Sequence, residues 1–333
     1  IYDRSVPPAA AVELLDEVLG RLCGDLQVPT LVIAGNHDSM PRLGFGARLL
    51  AEHRLHVYGR PSLDAPALRL VDDHGPLHVY SLPYPEPALV RELQGDASIR
   101  DHQDAMAAMV ASIWRRHPPG ERAVLVTHAD VAGGRVSDSE RLLSVTRGQS
   151  VAAETFEGFA YVALGHLHRP QDVGAPALRY AGSLYPYSFS EAGDDKSVSL
   201  VEIDGAGRAT VEELPLAPRR QVRLLEGRLR ELLAAAPEDP RREDFLRVTL
   251  TDTGPVVEAM SRLRQAYPHL LEVDRPKVTA PLPPTIPAPP REQGELEHFA
   301  AFFEHATGEA LGDDLAGEVT EALRRLRREE GER

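Results

Sequence analysis

Three short apolar runs in the first half of the chain each end in polar residues that can bind metal ions or transfer protons. Runs of four or five apolar, often β-branched residues are too short for independent helices and predict buried strands over 30–34, 123–126 and 160–164. The polar residues that follow these runs are Asn36, His37, Asp38, His128, His166 and His168. The chain therefore repeats one arrangement, a strand with a polar tip, three times.

The third of these runs presents two histidines together. Gly165 permits a sharp turn where the strand stops, and side chains two residues apart on extended backbone leave on the same side. His166 and His168 would then offer two nitrogen ligands from one strand end. Since ligands of open α/β sheets bind at the carboxyl ends of the strands, we expect the three polar tips to share one crevice. A single such histidine is explained as well by a solvated loop or a hydrogen-bonded core position, but the repetition favours a metal site.

The remaining pattern predicts an α/β protein in which sheets are flanked by helices. Helical periodicity covers 9–26, 41–54 and 105–116, and a run of strands closes a first domain over 1–218. Residues 219–279 then read as strand, helix, strand, helix, strand, which predicts a small α+β capping domain.

The carboxyl-terminal part of the sequence predicts a spacer followed by helices. The proline-rich run 280–290 cannot form a helix or a central strand and should be an extended linker. Residues 291–333 contain two amphipathic helical patterns. Their apolar faces consist of Leu296, Phe299, Ala300 and Phe303, and of Leu315, Val319, Leu323 and Leu326. Such stripes suit either docking on the body of the protein or filling a groove in a partner, and we favour the partner.

Charge and composition narrow the class of protein. The 333 residues carry a formal net charge of −14, which argues against a protein that holds nucleic acid through its overall field. Attraction to DNA would need bound cations, a partner or a local basic patch such as Arg219, Arg220 and Arg223. A single cysteine, Cys23, excludes an internal disulfide framework and fits a cytoplasmic protein, and no stretch resembles a membrane span or a secretory signal.

The residue types at the strand tips indicate which ions could bind. Imidazole nitrogens and an amide oxygen suit Mn²⁺, Fe²⁺ or Zn²⁺ better than Mg²⁺ alone, so Asn36, His128, His166 and His168 are the predicted metal ligands. Two ions about 4 Å apart could clamp a phosphoryl displacement, but this normally needs a bridging carboxylate. No Asp in residues 1–35 follows a buried strand. We cast His37 as the catalytic group that assists the leaving oxygen, with Asp38 orienting it.

The motifs GNHD at 35–38, His128 after a strand and GHLH at 165–168 resemble, in order, those of the calcineurin-like metallophosphoesterases. Within that superfamily, SDSER at 137–141, YVALGHLH at 161–168 and SFSEAGDDKSV at 188–198 are similar to bacterial DNA-nuclease subunits. The resemblance implies that Asn36, His128 and His166 hold one Mn²⁺ and that His168 joins a second.

The same resemblance implies an activity and partners. The activity is Mn²⁺-dependent double-strand 3′–5′ exonuclease and hairpin endonuclease action in DNA repair and recombination. A partner ATPase would bind residues 291–333, the capping domain would contact DNA, and two copies would sit within a heterotetramer. The family's first two motifs, Asp-x-His and Gly-Asp, belong before Ile1, so we expect the sequence to be amino-terminally incomplete.

Two other functions fit the same residues. The first is a superfamily phosphoesterase acting on a phosphoprotein or a small phosphoester. The second is a non-catalytic partner-binding fragment, which the missing ligand motifs favour.

Overall fold

The computed structural model describes residues 1–141, 150–252, 256–275 and 294–331. The predicted linker over 280–290 lies outside these residues, as does the middle of the long loop between the second and third polar tips. The chain divides into two compact units, Ile1–Val222 and Arg223–Arg333, near the boundary predicted at residue 218. Both units contain sheets and helices, which confirms the α/β class.

The first unit contains ten strands and six α-helices among its described residues. The strands are β1 (Thr30–Ile33), β2 (Leu55–Tyr58), β3 (Leu68–Asp72), β4 (Gly75–Leu82), β5 (Arg122–His128), β6 (Tyr161–Gly165), β7 (Gln171–Val173), β8 (Ala175–Tyr180), β9 (Ser197–Ile203) and β10 (Ala209–Pro215). The helices are α1 (Ala9–Leu19), α2 (Met40–Leu43), α3 (Ala47–Ala51), α4 (Pro87–Gln94), α5 (His102–Trp114) and α6 (Asp138–Arg141). Shorter helical turns cover Gly20–Asp25, Ala153–Phe156 and Phe189–Glu191.

A six-stranded sheet in the order β3-β4-β5-β6-β8-β7 forms the centre of this unit. The strands β4, β5, β6 and β8 run parallel, and the outer strands β3 and β7 are antiparallel to their neighbours. Two smaller sheets are the parallel pair β1-β2 and the antiparallel ribbon β9-β10. Because the inner strands are parallel, the ends of β5 and β6 lie at the same edge, with His128 in register with Gly165.

Helix α5 supplies one face of the core beside this sheet. It buries Ala105, Met106, Met109, Val110 and Ile113, a spacing of one helical face. The helix begins earlier than predicted because the Asp101 side chain accepts a hydrogen bond from the Asp104 backbone N–H at 2.9 Å and caps it.

The helix predicted over 41–54 is wrong in one respect, because the structure divides it into α2 and α3. Gly44 and Gly46 lie between the two helices, and Gly46 has a positive φ of 74°. A left-handed residue cannot continue a right-handed helix, so the chain must start a new one.

The second unit has the element order that the sequence predicts. It contains β11 (Val222–Gly227), α7 (Leu229–Ala235), a helical turn at Ala236–Glu238, β12 (Phe245–Leu250), α8 (Ala259–Ala266), β13 (Leu270–Asp274), α9 (Glu295–Thr307) and α10 (Asp313–Gly331). The three strands form one sheet in the order β11-β12-β13, and β12 and β13 are parallel. Its core includes the fully buried Leu246, Val248 and Leu263.

Helices α9 and α10 contact each other but contribute no described side chain to that core. Phe299 and Phe302 of α9 are 37% and 54% exposed. The side chain of Leu326, one of the predicted face residues, is not among the described ones. No helix in the described part of the chain is long and apolar enough to cross a bilayer.

Candidate metal centre

The three polar tips named from the sequence meet at one edge of the first unit. Asn36, His37 and Asp38 follow β1, His128 ends β5, and His166 and His168 follow β6. Backbone hydrogen bonds join the end of β1 to the end of β4, and the end of β5 to the end of β6. The Tyr84 N–H donates to the Ala34 carbonyl at 3.0 Å, and the Ala129 N–H donates to the Gly165 carbonyl at 3.2 Å.

Nε2 of His128 lies at the centre of a group of three polar side chains. The Asn36 carboxamide Oδ1 lies 2.9 Å from this atom, and Nδ1 of His166 lies 3.3 Å from it. Ligand atoms that share an ion at about 2.1 Å lie roughly 3 Å apart. The structure therefore brings three of the four predicted ligands to a spacing that suits a common ion.

Two glycines make room for the His128 ring. A Cβ at Gly35 would lie 2.8 Å from Cε1 of His128, and a Cβ at Gly165 would lie 3.0 Å from its Nδ1. Both distances are shorter than side-chain packing normally permits. Because these glycines of the GNHD and GHLH motifs have no side chain, the imidazole of His128 fits between them.

The backbone of His166 is strained. Its φ of 123° lies in a region that residues with a Cβ rarely adopt. Such a conformation persists only where the surroundings impose it, and it is enriched at functional sites.

Both central imidazoles are neutral at pH 7. Burial, followed by the neighbouring His166 ring, lowers the pKa of His128 well below its usual range. Burial also lowers the pKa of His166, although the carboxylates of Asp130 and Glu140 oppose it. Neutral imidazole is the form that binds metal ions, so each ring has one ring nitrogen available as a ligand.

His168 lies near this group but is held from another side. Its Nδ1 is 2.9 Å from the Ser139 hydroxyl and 3.4 Å from Glu191 Oε1. It is close enough to His128 and His166 to help lower the pKa of both rings, which places it in their neighbourhood.

His37 and Asp38 contact different partners. Nδ1 of His37 lies 2.7 Å from the Asp3 carbonyl, which can only accept, so this nitrogen carries the proton and Nε2 is left as the acceptor. Asp38 instead accepts hydrogen bonds from the backbone N–H groups of Gly35 and Tyr2, at 2.8 and 2.9 Å. Any orienting effect of Asp38 on His37 therefore passes through the loop backbone.

The donor set suits one borderline divalent ion better than two. Across the described residues, no group of three or more His, Cys, Asp or Glu side chains is placed to hold a metal ion. The group at His128 consists of two imidazoles and one amide and lacks a carboxylate. It matches the chemistry of Mn²⁺, Fe²⁺ or Zn²⁺, whereas a second ion would need further charged ligands.

A small cavity lies beside the two central histidines. His128 and His166 line it together with Tyr84, His102 and Asp130, among others. The Tyr84 hydroxyl lies 3.1 Å from Nε2 of His102, and burial raises the pKa of Tyr84 to about 12. Tyr84 therefore stays protonated at neutral pH. The sequence gives no sign of a catalytic role for Tyr84, because this residue follows an ordinary strand pattern.

One arginine of the basic patch proposed from the sequence, Arg223, forms ion pairs within the protein. Arg223 pairs with Asp239 at 2.9 Å and with Asp244 at 2.7 Å, and its side chain is only 15% exposed. Arg223 is thus neutralised within the second unit and is a poor candidate for binding phosphate.

One known family matches part of the chain. Residues 218–307 match the family described as the type 5 capsule protein repressor C-terminal domain, SbcD_C. The match covers the three-stranded sheet of the second unit and extends through α9. The carboxyl-terminal region of this chain is therefore related to that of SbcD.

Proposed function

We propose that the protein is an SbcD-like, metal-dependent DNA nuclease with a calcineurin-like metallophosphoesterase domain. The observation that carries this proposal is the convergence of Asn36, His128 and His166, from three separate strand ends, on one point. The SbcD-related region that follows supports the same assignment independently of the site.

Asn36, His128 and His166 would hold a Mn²⁺ ion, and His168 would contribute to a second ion. The metal supplies a Lewis acid and an activated water for phosphodiester hydrolysis. Gly35 and Gly165 position the central imidazole, and burial keeps it in the neutral, ligating form.

His37 would act on the scissile phosphate rather than on the metal. The Asp3 carbonyl fixes its tautomer, so that Nε2 is the atom free to exchange a proton with the substrate. Asp38 holds the loop that carries it. His37 would thus be the catalyst, and Asp38 would support the loop that carries His37.

The proposed partner is an SbcC-type ATPase that binds residues 291–333. Helices α9 and α10 present aromatic and aliphatic side chains outside the core of the second unit, which suits a helix-in-groove contact. Double-stranded DNA ends and hairpins are the proposed substrates, and the working assembly would contain two copies of each subunit in the cytoplasm.

A non-catalytic, partner-binding role is the second candidate. It is favoured by the lack of a carboxylate among the converging side chains and of any larger His, Cys, Asp and Glu cluster in the described residues. Under this alternative the chain would bind the ATPase without cleaving DNA.

A substrate panel with metal analysis distinguishes these functions. The full chain is incubated with Mn²⁺ and either blunt duplex DNA, a DNA hairpin or p-nitrophenyl phosphate esters. The nuclease proposal expects bound Mn²⁺ and cleavage of both DNA substrates. Hydrolysis of the esters alone would indicate another phosphoesterase, and a chain without metal or cleavage would support the partner-binding role.

A further inference from the structure

Polar groups contact the backbone and one ring nitrogen of His168. Its backbone N–H donates to Glu140, and its carbonyl accepts from Lys196 Nζ at 2.8 Å and from the Ser183 N–H at 3.0 Å. Its ring Nδ1 faces Ser139 and Glu191. Within the described residues, Nε2 of His168 is the one polar atom of this residue that has no hydrogen-bond partner.

A buried ion pair between Glu191 and Lys196 supports these contacts. Glu191 is fully buried, Lys196 is 4% exposed, and Nζ of Lys196 lies 2.7 Å from Glu191 Oε2. Burying both charges costs desolvation energy that their attraction does not reliably offset, so stability alone is a weak explanation for the pair. The same Lys196 ammonium also binds the His168 carbonyl, which connects the pair directly to this histidine.

The direction of the hydrogen bonds fixes the tautomer of the His168 ring. The Ser139 hydroxyl has one proton, which it donates to Glu191 Oε1 at 3.0 Å. Ser139 Oγ also lies 2.7 Å from Ser137 Oγ and 2.9 Å from His168 Nδ1, and it accepts from Nδ1 when its own proton points to Glu191. Glu191 is paired with the Lys196 ammonium through Oε2 at 2.7 Å, and its other oxygen, Oε1, lies 3.4 Å from His168 Nδ1, where a carboxylate oxygen accepts a hydrogen bond. The Glu191 carboxylate thus favours a proton on Nδ1, and the Ser139 hydroxyl can accept from that nitrogen.

We infer that Ser139, Glu191 and Lys196 are positioning residues, which hold the His168 ring with Nδ1 protonated and Nε2 presented as a free ligand. Residues that orient a ligating histidine in this way typically change metal affinity 10- to 100-fold when they are removed. The consequence for metal binding rests on the proposed function, whereas the consequence for the tautomer does not.

The contacts also give a role to two segments that the metal site leaves unexplained. Ser139 and Glu140 belong to SDSER, and Glu191 and Lys196 belong to SFSEAGDDKSV. Both segments reach His168 from outside the GHLH segment, so they form a support for one ligand.

The test combines ¹⁵N-histidine NMR of the full chain with Mn²⁺ titration, in the wild type, Glu191→Gln, Ser139→Ala and the control Glu213→Gln. The control makes the same chemical change at an ion pair with Arg179 in the same unit. We expect an unprotonated Nε2 on His168 in the wild type and the control. Both test variants should show a mixture of tautomers, and Glu191→Gln should bind Mn²⁺ at least 10-fold more weakly.

A His168 tautomer that is unchanged in both variants would overturn the inference, as would a wild-type ring protonated at Nε2. If Glu191→Gln does not fold, the Ser139→Ala spectrum decides alone. A chain that binds no Mn²⁺ in any form would contradict the proposed metal site, while the NMR result would still judge the positioning role.

Discussion

The Asn36 carboxamide lies 2.9 Å from Nε2 of His128, although 92 residues separate the two in the sequence. This contact exists because β1 and β5 end at the same edge of the first unit. It joins the GNHD loop to a histidine that the GHLH segment contacts from the other side. Three distant segments thereby form one candidate ligand set.

Replacing Gly165 with Ala should displace the His128 ring. The added Cβ would lie 3.0 Å from His128 Nδ1. Overpacking of this kind costs about 1–3 kcal/mol in unfolding free energy. We expect Mn²⁺ affinity to fall on the order of 10-fold or more, since a ligand moves from its position. Isothermal titration and thermal unfolding measure the two effects.

The matched control for this change is Gly20→Ala, where a Cβ would meet no atom within 4 Å and the backbone is helical. This variant should keep wild-type affinity and gain slightly in stability, because Ala favours the helix by about 1 kcal/mol. Equal Mn²⁺ affinity in Gly165→Ala and Gly20→Ala would show that the close approach to His128 has no functional role.

His37→Ala and His166→Ala should separate catalysis from metal binding. Removing His37 should slow DNA cleavage roughly 10²–10⁴-fold while leaving bound Mn²⁺ unchanged, since this residue is assigned to the substrate. Removing His166 should instead reduce the metal content itself. Elemental analysis alongside cleavage rates distinguishes them, and loss of metal in His37→Ala would refute its assignment as catalyst.

Exposed phenylalanines of α9 should contribute to partner binding without supporting the fold. Phe299 and Phe302 lie outside the core of the second unit. The double change to Asp should abolish association with an SbcC-type ATPase in a pull-down and leave the unfolding midpoint within a few degrees. Deleting residues 291–333 should have the same effect on association and spare basal cleavage.

The buried control for that experiment is Leu246→Ala, which removes a fully buried side chain from the same unit. It should cost about 2–5 kcal/mol in unfolding free energy without altering the apolar face of α9. Association that survives the Phe changes would place the partner surface elsewhere.

The stability of the second unit should depend on pH through Asp239. Although burial opposes it, hydrogen bonds from Arg223 and from the Arg241 backbone lower the pKa of Asp239 below its ordinary value of 3.8. Because the folded-state pKa is the lower one, this contribution is complete above pH 3.8 and is lost as the pH falls through the folded-state pKa.

Acid unfolding of the wild type and Asp239→Asn measures this contribution. The variant should be less stable than the wild type at neutral pH, and the difference should shrink on acidification below pH 3.8. A difference that stays constant across this range would contradict the assignment.

The sequence predicted the strands and their polar tips because apolar runs and turn residues are local signals. The meeting of His128 and His166 followed from the parallel order of β5 and β6, whereas Asn36 comes from β1, which belongs to a separate sheet. The break between α2 and α3 was missed because helical periodicity continues across Gly44 and Gly46, and only the positive φ of Gly46 interrupts it.

The support around His168 could not be read from the chain. Glu191 and Lys196 lie 23 and 28 residues beyond this histidine, and their contact depends on how the segments after β8 fold back. Likewise, the steric role of Gly35 appears only when the ring of His128 is in place. Long-range contacts between side chains decide these features, and hydrophobic periodicity does not encode them.

Electron spin-echo envelope modulation of Mn²⁺ added to the full chain is the sharpest test of the metal centre, because it detects nitrogen atoms bound to the ion. We expect ¹⁴N modulation from at least two imidazoles in the wild type, and its loss in His128→Ala. Mn²⁺ that shows no nitrogen modulation, or the same modulation in His128→Ala, would contradict a metal centre built on Asn36, His128 and His166.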